Sequence, residues 1–367
     1  MSDWPNTPLE KVVVLQRGID LPSRSRKLGP YAVLGSNGPV GYHNHAPVKG
    51  PGVVIGRATN LGRPTYWSED FWPLNTCLFV KDFLGNDPRF VYYLFESMDL
   101  SGFDSGSVQP MLNRNYIAKV PVSLPSPTEQ RAIAGVLGAL DDKIESNRRR
   151  SLIATELYQT EIRDMLLKLP DNGLGSLQQL STFMSRSSER IGDVYAPEFS
   201  ATVTGLEPRS SRFKKTLSAG NQKNKKIQAG DLVFGFSRRT LSFGVMRDPI
   251  GSVSPVYEVF RVHGGLEIAG LIEMQIRDQM HDFMDILKPG AREGQPIEAN
   301  YLLNKKLVLP YNPVGFIISE QIKNLARVVE LSVSENRKLT MLRDTLLPEL
   351  LSGRLRVKDA ESMMENV

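Results

Sequence analysis

A single cysteine, Cys77, in 367 residues leaves no partner for an intramolecular disulfide and excludes zinc or iron–sulfur sites built on several thiolates. Only four histidines are present, which leaves little for His-based metal chemistry, and no metal site or catalytic residue is expected in this chain. No stretch approaches the ~18 consecutive apolar residues of a membrane span. The start, Met1-Ser2-Asp3-Trp4-Pro5, lacks a basic segment followed by an apolar one. A soluble, cytoplasmic protein with no membrane partner is expected. A phosphate loop of the Gly-x-x-x-x-Gly-Lys-Ser/Thr type is missing as well. Charge of one sign is only mildly in excess. With 45 Lys+Arg against 40 Asp+Glu the net charge is +5 and the pI near 9.1, which permits a nucleic-acid partner without requiring one.

What is present is a repeated plan. From Thr128 to about Leu169 there is no proline, and the apolar stripe Ile133, Leu137, Leu140, Ile144, Asn147, Ser151, Ala154, Tyr158 steps by three and four, the spacing of a helix packed lengthwise on another. A second stretch begins near Ser319 and runs through Ile322, Leu325, Val329, Ser332, Asn336, Leu339, Arg343 and Leu346 until Pro348. The two seams are natural partners. Leu137, Leu140, Ile144 and Asn147 are expected to face Val329, Asn336 and Leu339, with the mid-seam asparagines as a buried polar pair that fixes register. Leu152, Leu157, Ile162 and Leu166 are expected to form a second, exposed strip on the first helix.

Glu129-Gln130 opens the first helix and Glu320-Gln321 the second. Ahead of each comes a similar lead-in, Gln109-Pro110 through Asn115-Tyr116 to Leu124-Pro125 and Gln295-Pro296 through Asn300-Tyr301 to Leu309-Pro310. Matched pairs in the same order point to internal duplication. The parts between, with short β-branched or aromatic runs split by Gly, Pro, Asn and Ser, and helical segments at Pro88–Ser97 and Glu267–Phe283, read as α+β domains with small, mostly antiparallel sheets. The expected fold class is therefore α+β. Two such domains, 1–124 and 171–310, are separated and followed by long helices, 125–170 and 311–357, that pair as an antiparallel coiled coil, with 358–367 as a disordered tail.

Three stretches carry a resemblance: Leu124-Pro-Ser-Pro127-Thr-Glu129-Gln130-Arg-Ala-Ile133-Ala, Leu140-Asp141-Asp142-Lys143-Ile144-Glu145, and Leu347-Pro348-Glu349-Leu350-Leu351-Ser352-Gly353-Arg354-Leu355. Together with the architecture they resemble the specificity subunit of type I restriction-modification enzymes. Gly50-Pro51-Gly52, Phe71-Trp72-Pro73 and Gly106-Ser107-Val108-Gln109-Pro110 in the first domain resemble that family's target-recognition domains, and Gly230-Asp231-Leu232-Val233-Phe234 is the counterpart in the second. The resemblance implies a non-catalytic subunit whose two domains each read one half of an asymmetric, bipartite double-stranded DNA site. It also implies that the helices set the half-site separation and dock two methyltransferase subunits, with restriction subunits as an optional addition. No cofactor is expected in this chain; S-adenosylmethionine would bind the partner methyltransferase.

The residues themselves favour binding over catalysis. Between Arg209 and Lys226 lie seven basic residues and no acidic one, a run that includes Arg212, Lys214, Lys215, Lys223, Lys225 and Lys226 and suits phosphate oxygens. Arg238 and Arg239 follow a strand and are candidates for bidentate guanine recognition. Arg57, with Asn60, Arg63 and Tyr66, occupies the analogous place in the first domain, and Ser107, Gln109, Asn113 and Arg114 form a second polar loop. Arg292 and Gln295 complete the candidate DNA-binding set. For each, a turn residue or a solvated surface charge is the competing reading. Asn312-Pro313-Val314-Gly315-Phe316 lacks the second proline of an adenine methyltransferase motif, and His43-Asn44-His45 reads as loop histidines. Two other functions remain open at this point: a helical scaffold or regulatory protein that binds protein partners, and a self-sufficient DNA-modifying enzyme.

Overall fold

In a computed structural model the chain divides into two units, Met1–Ser151 with Glu330–Val367, and Leu152–Val329. The described residues are 4–57, 60–100, 102–103, 111–194, 196–209, 221–237, 240–287, 297–313 and 319–364.

In the first unit β1 (Asn6–Pro8) pairs antiparallel with β9 (Pro121–Ser123). A four-stranded antiparallel sheet follows in the order β2 (Val14–Arg17), β8 (Cys77–Asp82), β5 (Gly52–Gly56), β6 (Pro64–Trp67). A second sheet sets β3 (Tyr31–Gly35) between β4 (Gly38–His43) and β7 (Phe71–Pro73), parallel to the latter. Strand β5 is buried along its whole length because both faces are covered. Val53 and Ile55 enter a core with helix α1 (Pro88–Ser97), while Val54 on the opposite face packs with Cys77, Phe79 and Phe71. That split is the period-2 alternation of a strand. Helix α1 starts where the sequence favours it: Asp87 caps the Arg89 and Phe90 amides at 2.9 Å, with Pro88 at the first helical position. The short helix α2 (Arg114–Ile117) precedes β9.

Helix α3 (Pro127–Asp171) opens on a reciprocal cap, in which Ser126 Oγ accepts from the Glu129 amide at 3.3 Å and Glu129 Oε2 accepts from the Ser126 amide at 3.2 Å. Gln130 beside it is buried. Its amide donates to Asn86 Oδ1 and to the Pro125 carbonyl, and its carbonyl accepts from the Asp87 amide, which fastens the start of α3 to the cap of α1.

The second unit repeats the plan. Strands β10 (Gly175–Gln179) and β19 (Lys306–Pro310) pair as β1 and β9 do. Strands β11 (Met184–Ser187), β18 (Glu258–Val262), β15 (Asp231–Phe234) and β16 (Phe243–Val245) repeat the order of the first four-stranded sheet. The other sheet runs β13 (Leu206–Pro208), β12 (Glu198–Ala201), β17 (Ile250–Val253), β14 (Lys225–Gln228), and β12 lies parallel to β17 as β3 does to β7. Helix α4 (Gly265–Asp278) packs on β15, β16 and β18, and α5 (Ala299–Asn304) precedes β19.

Helix α6 (Glu320–Leu351) is antiparallel to α3 within the first unit, where Arg150 meets Ser332, Asn147 meets Glu335, Ile144 meets Asn336 and Asp141 meets Arg343. Within the second unit, Gln321 donates to Glu161, and Ile322 joins Ile162 and Leu166 in the core. Among the described residues, no helix is long and apolar enough to cross a membrane.

Four expectations are corrected. The mid-seam asparagines do not pair with each other: Asn147 bonds Glu335 and Arg150, and Asn336 reaches the Ile144 carbonyl. Their positions put each asparagine opposite a different residue of the other helix. Helix α6 runs past Pro348 to Leu351, because the lost hydrogen bond falls opposite exposed Asp344 while Leu346, Leu350 and Leu351 are buried. Residues expected in a disordered tail form helix α7 (Val357–Met364), with Ala360 fully buried and Val357 and Met364 packed on the first unit's core. Of the expected exposed strip, Leu152 and Leu157 are exposed, whereas Ile162 and Leu166 belong to the second unit's core.

Candidate nucleic-acid interface

The four-stranded sheet of the first unit brings two arginines to one edge. Strands β2 and β5 flank β8 and run antiparallel to it, so their C-terminal ends both lie beside its N-terminal start. Arg17 ends β2 and Arg57 follows β5; Arg17 Nε and Arg57 Nη1 reach the Asn75 carbonyl at 3.4 and 3.5 Å. The Arg57 backbone is held by the Thr76 carbonyl at 3.1 Å, and the Gly18 amide bonds Cys77 O at 3.0 Å. Desolvation, and then the charge of Arg17, hold the Arg57 guanidinium below its ordinary value. Arg17 escaped the sequence reading. Its proximity to Arg57 depends on the order β2–β8–β5, for which an isolated Arg-Gly pair gives no signal.

The other candidates in this unit disperse. Asn60 adopts a left-handed conformation at φ 50° and donates to Asn37 Oδ1 at 2.8 Å, so it shapes the turn after Arg57. Arg63 is exposed in the same turn, its amide on Asn60 O. Tyr66 points toward α1, with the Arg89 guanidinium 5.7 Å from its ring centre, and burial raises its hydroxyl pKa. It is not brought to Arg57. Asn113 caps α2 by accepting from the Asn115 amide at 3.0 Å. Arg114 is directed at the Leu15 carbonyl at 3.3 Å, on the rim of a cavity of about 200 Å³ lined by Leu9, Val13 and Val14.

In the second unit, Lys223 is exposed and its carbonyl accepts from Arg190. Lys225 is turned inward: its ammonium donates to the Tyr257 carbonyl at 2.5 Å and stands 3.8 Å from Glu258, and desolvation lowers its pKa. Lys226 is paired with Glu189 at 2.7 Å. Glu189 and Asp231 also engage Arg261, and Glu258 engages Arg186. Within the basic run, Lys225 and Lys226 thus each stand beside a carboxylate. Ser107, Gln109, Arg212, Lys214, Lys215, Arg238, Arg239, Arg292 and Gln295 lie outside the described residues.

The two units differ at matched positions. Gly56, which ends β5, and Gly235, which follows β15, each bond a carbonyl seven positions on, that of Arg63 at 2.9 Å and that of Ser242 at 2.8 Å. Arg57 therefore corresponds to Phe236, exposed and 6.3 Å from the Tyr257 ring, and Arg63 corresponds to Ser242. At these two matched positions the scaffold carries arginines in the first unit and an aromatic and a hydroxyl side chain in the second.

The seam residues lie in their respective units. Leu137, Leu140, Ile144, Asn147 and Leu339 are buried in the first, Asn336 is half-buried there, and Val329 ends the segment assigned to the second. Arg150 bridges Ser332, Asn147 and Glu335 and is committed to the seam.

Residues 3–154 match the family model of the type I restriction modification DNA specificity domain. A specificity subunit of the type I restriction enzyme MjaIX from Methanocaldococcus jannaschii is 23% identical over 335 residues, covering 78% of this chain and 74% of the relative. The crystal structure of the type I restriction-modification S subunit from M. genitalium superposes with a TM-score of 0.66 at 14% identity, over 95% of this chain and 96% of that one, and so shares the fold. With the duplicated sheets and the paired long helices, the chain is similar to type I restriction-modification specificity subunits, and residues 3–154 match the DNA specificity domain of that family.

Proposed function

We propose that this chain is the non-catalytic DNA-sequence reader of a type I restriction-modification complex in the cytoplasm. Each unit reads one half of a bipartite double-stranded site, and the exposed faces of α3 and α6 dock two methyltransferase subunits, with restriction subunits as a further addition. The observation that carries this reading is the pair of equivalent scaffolds with unlike side chains at matched positions, Arg57 and Arg63 against Phe236 and Ser242. Two copies of one fold with different side chains at the same positions suit two half-sites of different sequence. Major-groove recognition requires donors, acceptors and apolar groups in such loops, with phosphate contacts fixing orientation. In the second unit Leu152 and Leu157 are exposed at 66% and 50%, and in the first Leu331 and Met341 at 56% and 72%; apolar side chains so placed on helices suit protein partners. S-adenosylmethionine and the methyl-transfer chemistry belong to the partner.

The test is to titrate fluorescent duplex DNA with the purified chain, alone and with its methyltransferase, while assaying methylation and cleavage. Salt-dependent DNA affinity, with methylation only when the methyltransferase is added, supports the reading. Methylation or cleavage by the chain alone indicates a self-sufficient enzyme. DNA affinity that ignores both salt and sequence indicates a protein-binding scaffold.

A further inference from the structure

Arg17 and Arg57 differ from the ion-paired arginines of the first unit. Arg89, Arg150, Arg343 and Arg354 each stand within ion-pair distance of a carboxylate. Neither Arg17 nor Arg57 has such a partner among the described residues. Both share one neutral acceptor, the Asn75 carbonyl, at the outer limit of hydrogen bonding. The nearby carboxylate of Asp20 is engaged by the Asn75 side-chain amide at 2.9 Å. Two like charges brought together over one weak acceptor repel each other, and a shared oxyanion would relieve that repulsion.

The backbone beneath the pair is fixed. A Cβ on Gly18 would stand 1.9 Å from the Leu74 carbonyl oxygen, so only glycine lets the chain after Arg17 lie this close to residues 73–74. Ser36 Oγ donates to the Thr76 carbonyl at 2.6 Å, and the Arg57 amide donates to the same oxygen. Both arginines thus leave from ordered main chain at the same end of one sheet, while their guanidinium groups keep donors free.

We infer that the adjoining ends of β2 and β5 form an oxyanion clamp, in which Arg17 and Arg57 together hold one phosphodiester group of the DNA backbone. The inference rests on the DNA-reading function proposed above and assigns to this pair positioning of the duplex, not reading of bases. Two guanidinium groups over one acceptor suit the two non-bridging oxygens of a phosphodiester. The second unit has Phe236 at the position of Arg57.

The test uses the full chain with its methyltransferase and compares duplexes of cognate and scrambled sequence at a series of KCl concentrations. The Arg17→Gln/Arg57→Gln double variant is expected to weaken binding by a similar factor on both duplexes and to reduce the slope of log affinity against log salt by about 1. The Arg17→Lys/Arg57→Lys variant keeps the wild-type slope. A scan of neutral methylphosphonate linkages is expected to find one linkage whose neutralisation weakens the wild type and leaves the glutamine variant unaffected. Matching thermal melts establish that the variants are folded. An unchanged slope in the glutamine variant, a loss confined to cognate DNA, or the absence of such a linkage overturns the clamp. Absence of salt-dependent affinity in the wild type instead overturns the DNA-reading function itself.

Discussion

Asn336 donates its side-chain amide to the main-chain carbonyl of Ile144 at 3.1 Å, while its own carbonyl oxygen is buried without a partner. One position along the helix, Glu335 accepts from Asn147, which also accepts from Arg150. The register of this seam is therefore held by a side chain bonded to backbone and by a charged network, not by an amide pair. Asn147→Ala is expected to destabilise the first unit by about 1–2 kcal/mol, since it removes two hydrogen bonds to charged groups. Asn336→Leu should change stability less, because it also removes the unpaired oxygen. Urea unfolding of the two variants checks the order.

The same network makes stability depend on acid. Burial raises the Glu335 carboxyl, but hydrogen bonds from Lys143 and Asn147 and the charges of Lys143 and Arg150 outweigh it and hold the group below its ordinary 4.5. The folded state then binds fewer protons than the unfolded one. The stabilisation is fully present above the unfolded value and disappears as pH falls through the folded one. The stability difference between wild type and Glu335→Gln is expected to be constant above about pH 5.5 and to shrink as pH falls below the unfolded value. Thermal melts across that range measure it; a difference that grows toward acid contradicts the assignment.

Two glycines in α3 should respond in opposite directions. A Cβ on Gly135 meets nothing within 4 Å, whereas one on Gly138 would stand 2.7 Å from Arg89 Cζ. Gly135→Ala is expected to stabilise by up to about 1 kcal/mol through helix propensity. Gly138→Ala should dislodge Arg89 from the Gly138 carbonyl and from Asp142, offsetting that gain or reversing it. Melting temperatures of the two variants, measured side by side, decide the matter.

Cys77 lies fully buried in β8 with its thiol 2.9 Å from the Leu74 carbonyl, and burial pushes its pKa up to about 12. Since the thiolate is the nucleophile, the folded chain is expected to resist iodoacetamide at pH 8 and to react on unfolding. Mass spectrometry after timed labelling reads this directly. Rapid labelling of the folded chain would contradict the assigned burial.

Much of the fold was legible because local signals agreed. Helix α1 begins and ends where Asp87-Pro88 and its apolar spacing place it, and Ser126 with Glu129 marks the start of α3. Pro348 misled because a proline stops a helix only where its lost hydrogen bond goes uncompensated, and burial of Leu350 and Leu351 draws this one onward. The tail from Lys358 was misread because its apolar residues are few, yet Ala360 and Met364 both meet the core.

The candidate site was harder to read. Lys225 looked like its neighbours in a basic run, but strand alternation puts it on the same face of β14 as buried Ile227. That signal was available in the sequence. The meeting of Arg17 with Arg57 was not, because it depends on which strands neighbour β8, a long-range pairing that leaves no local pattern.

The most direct measurement of the central claim is to express the methyltransferase in a host with and without this chain and to map modified bases across the host DNA. A single asymmetric motif with two specified parts and a fixed gap, present only when this chain is expressed, is the result expected of a sequence reader. Methylation that is unchanged when the chain is omitted, or no such motif from a purified stoichiometric complex, would contradict it.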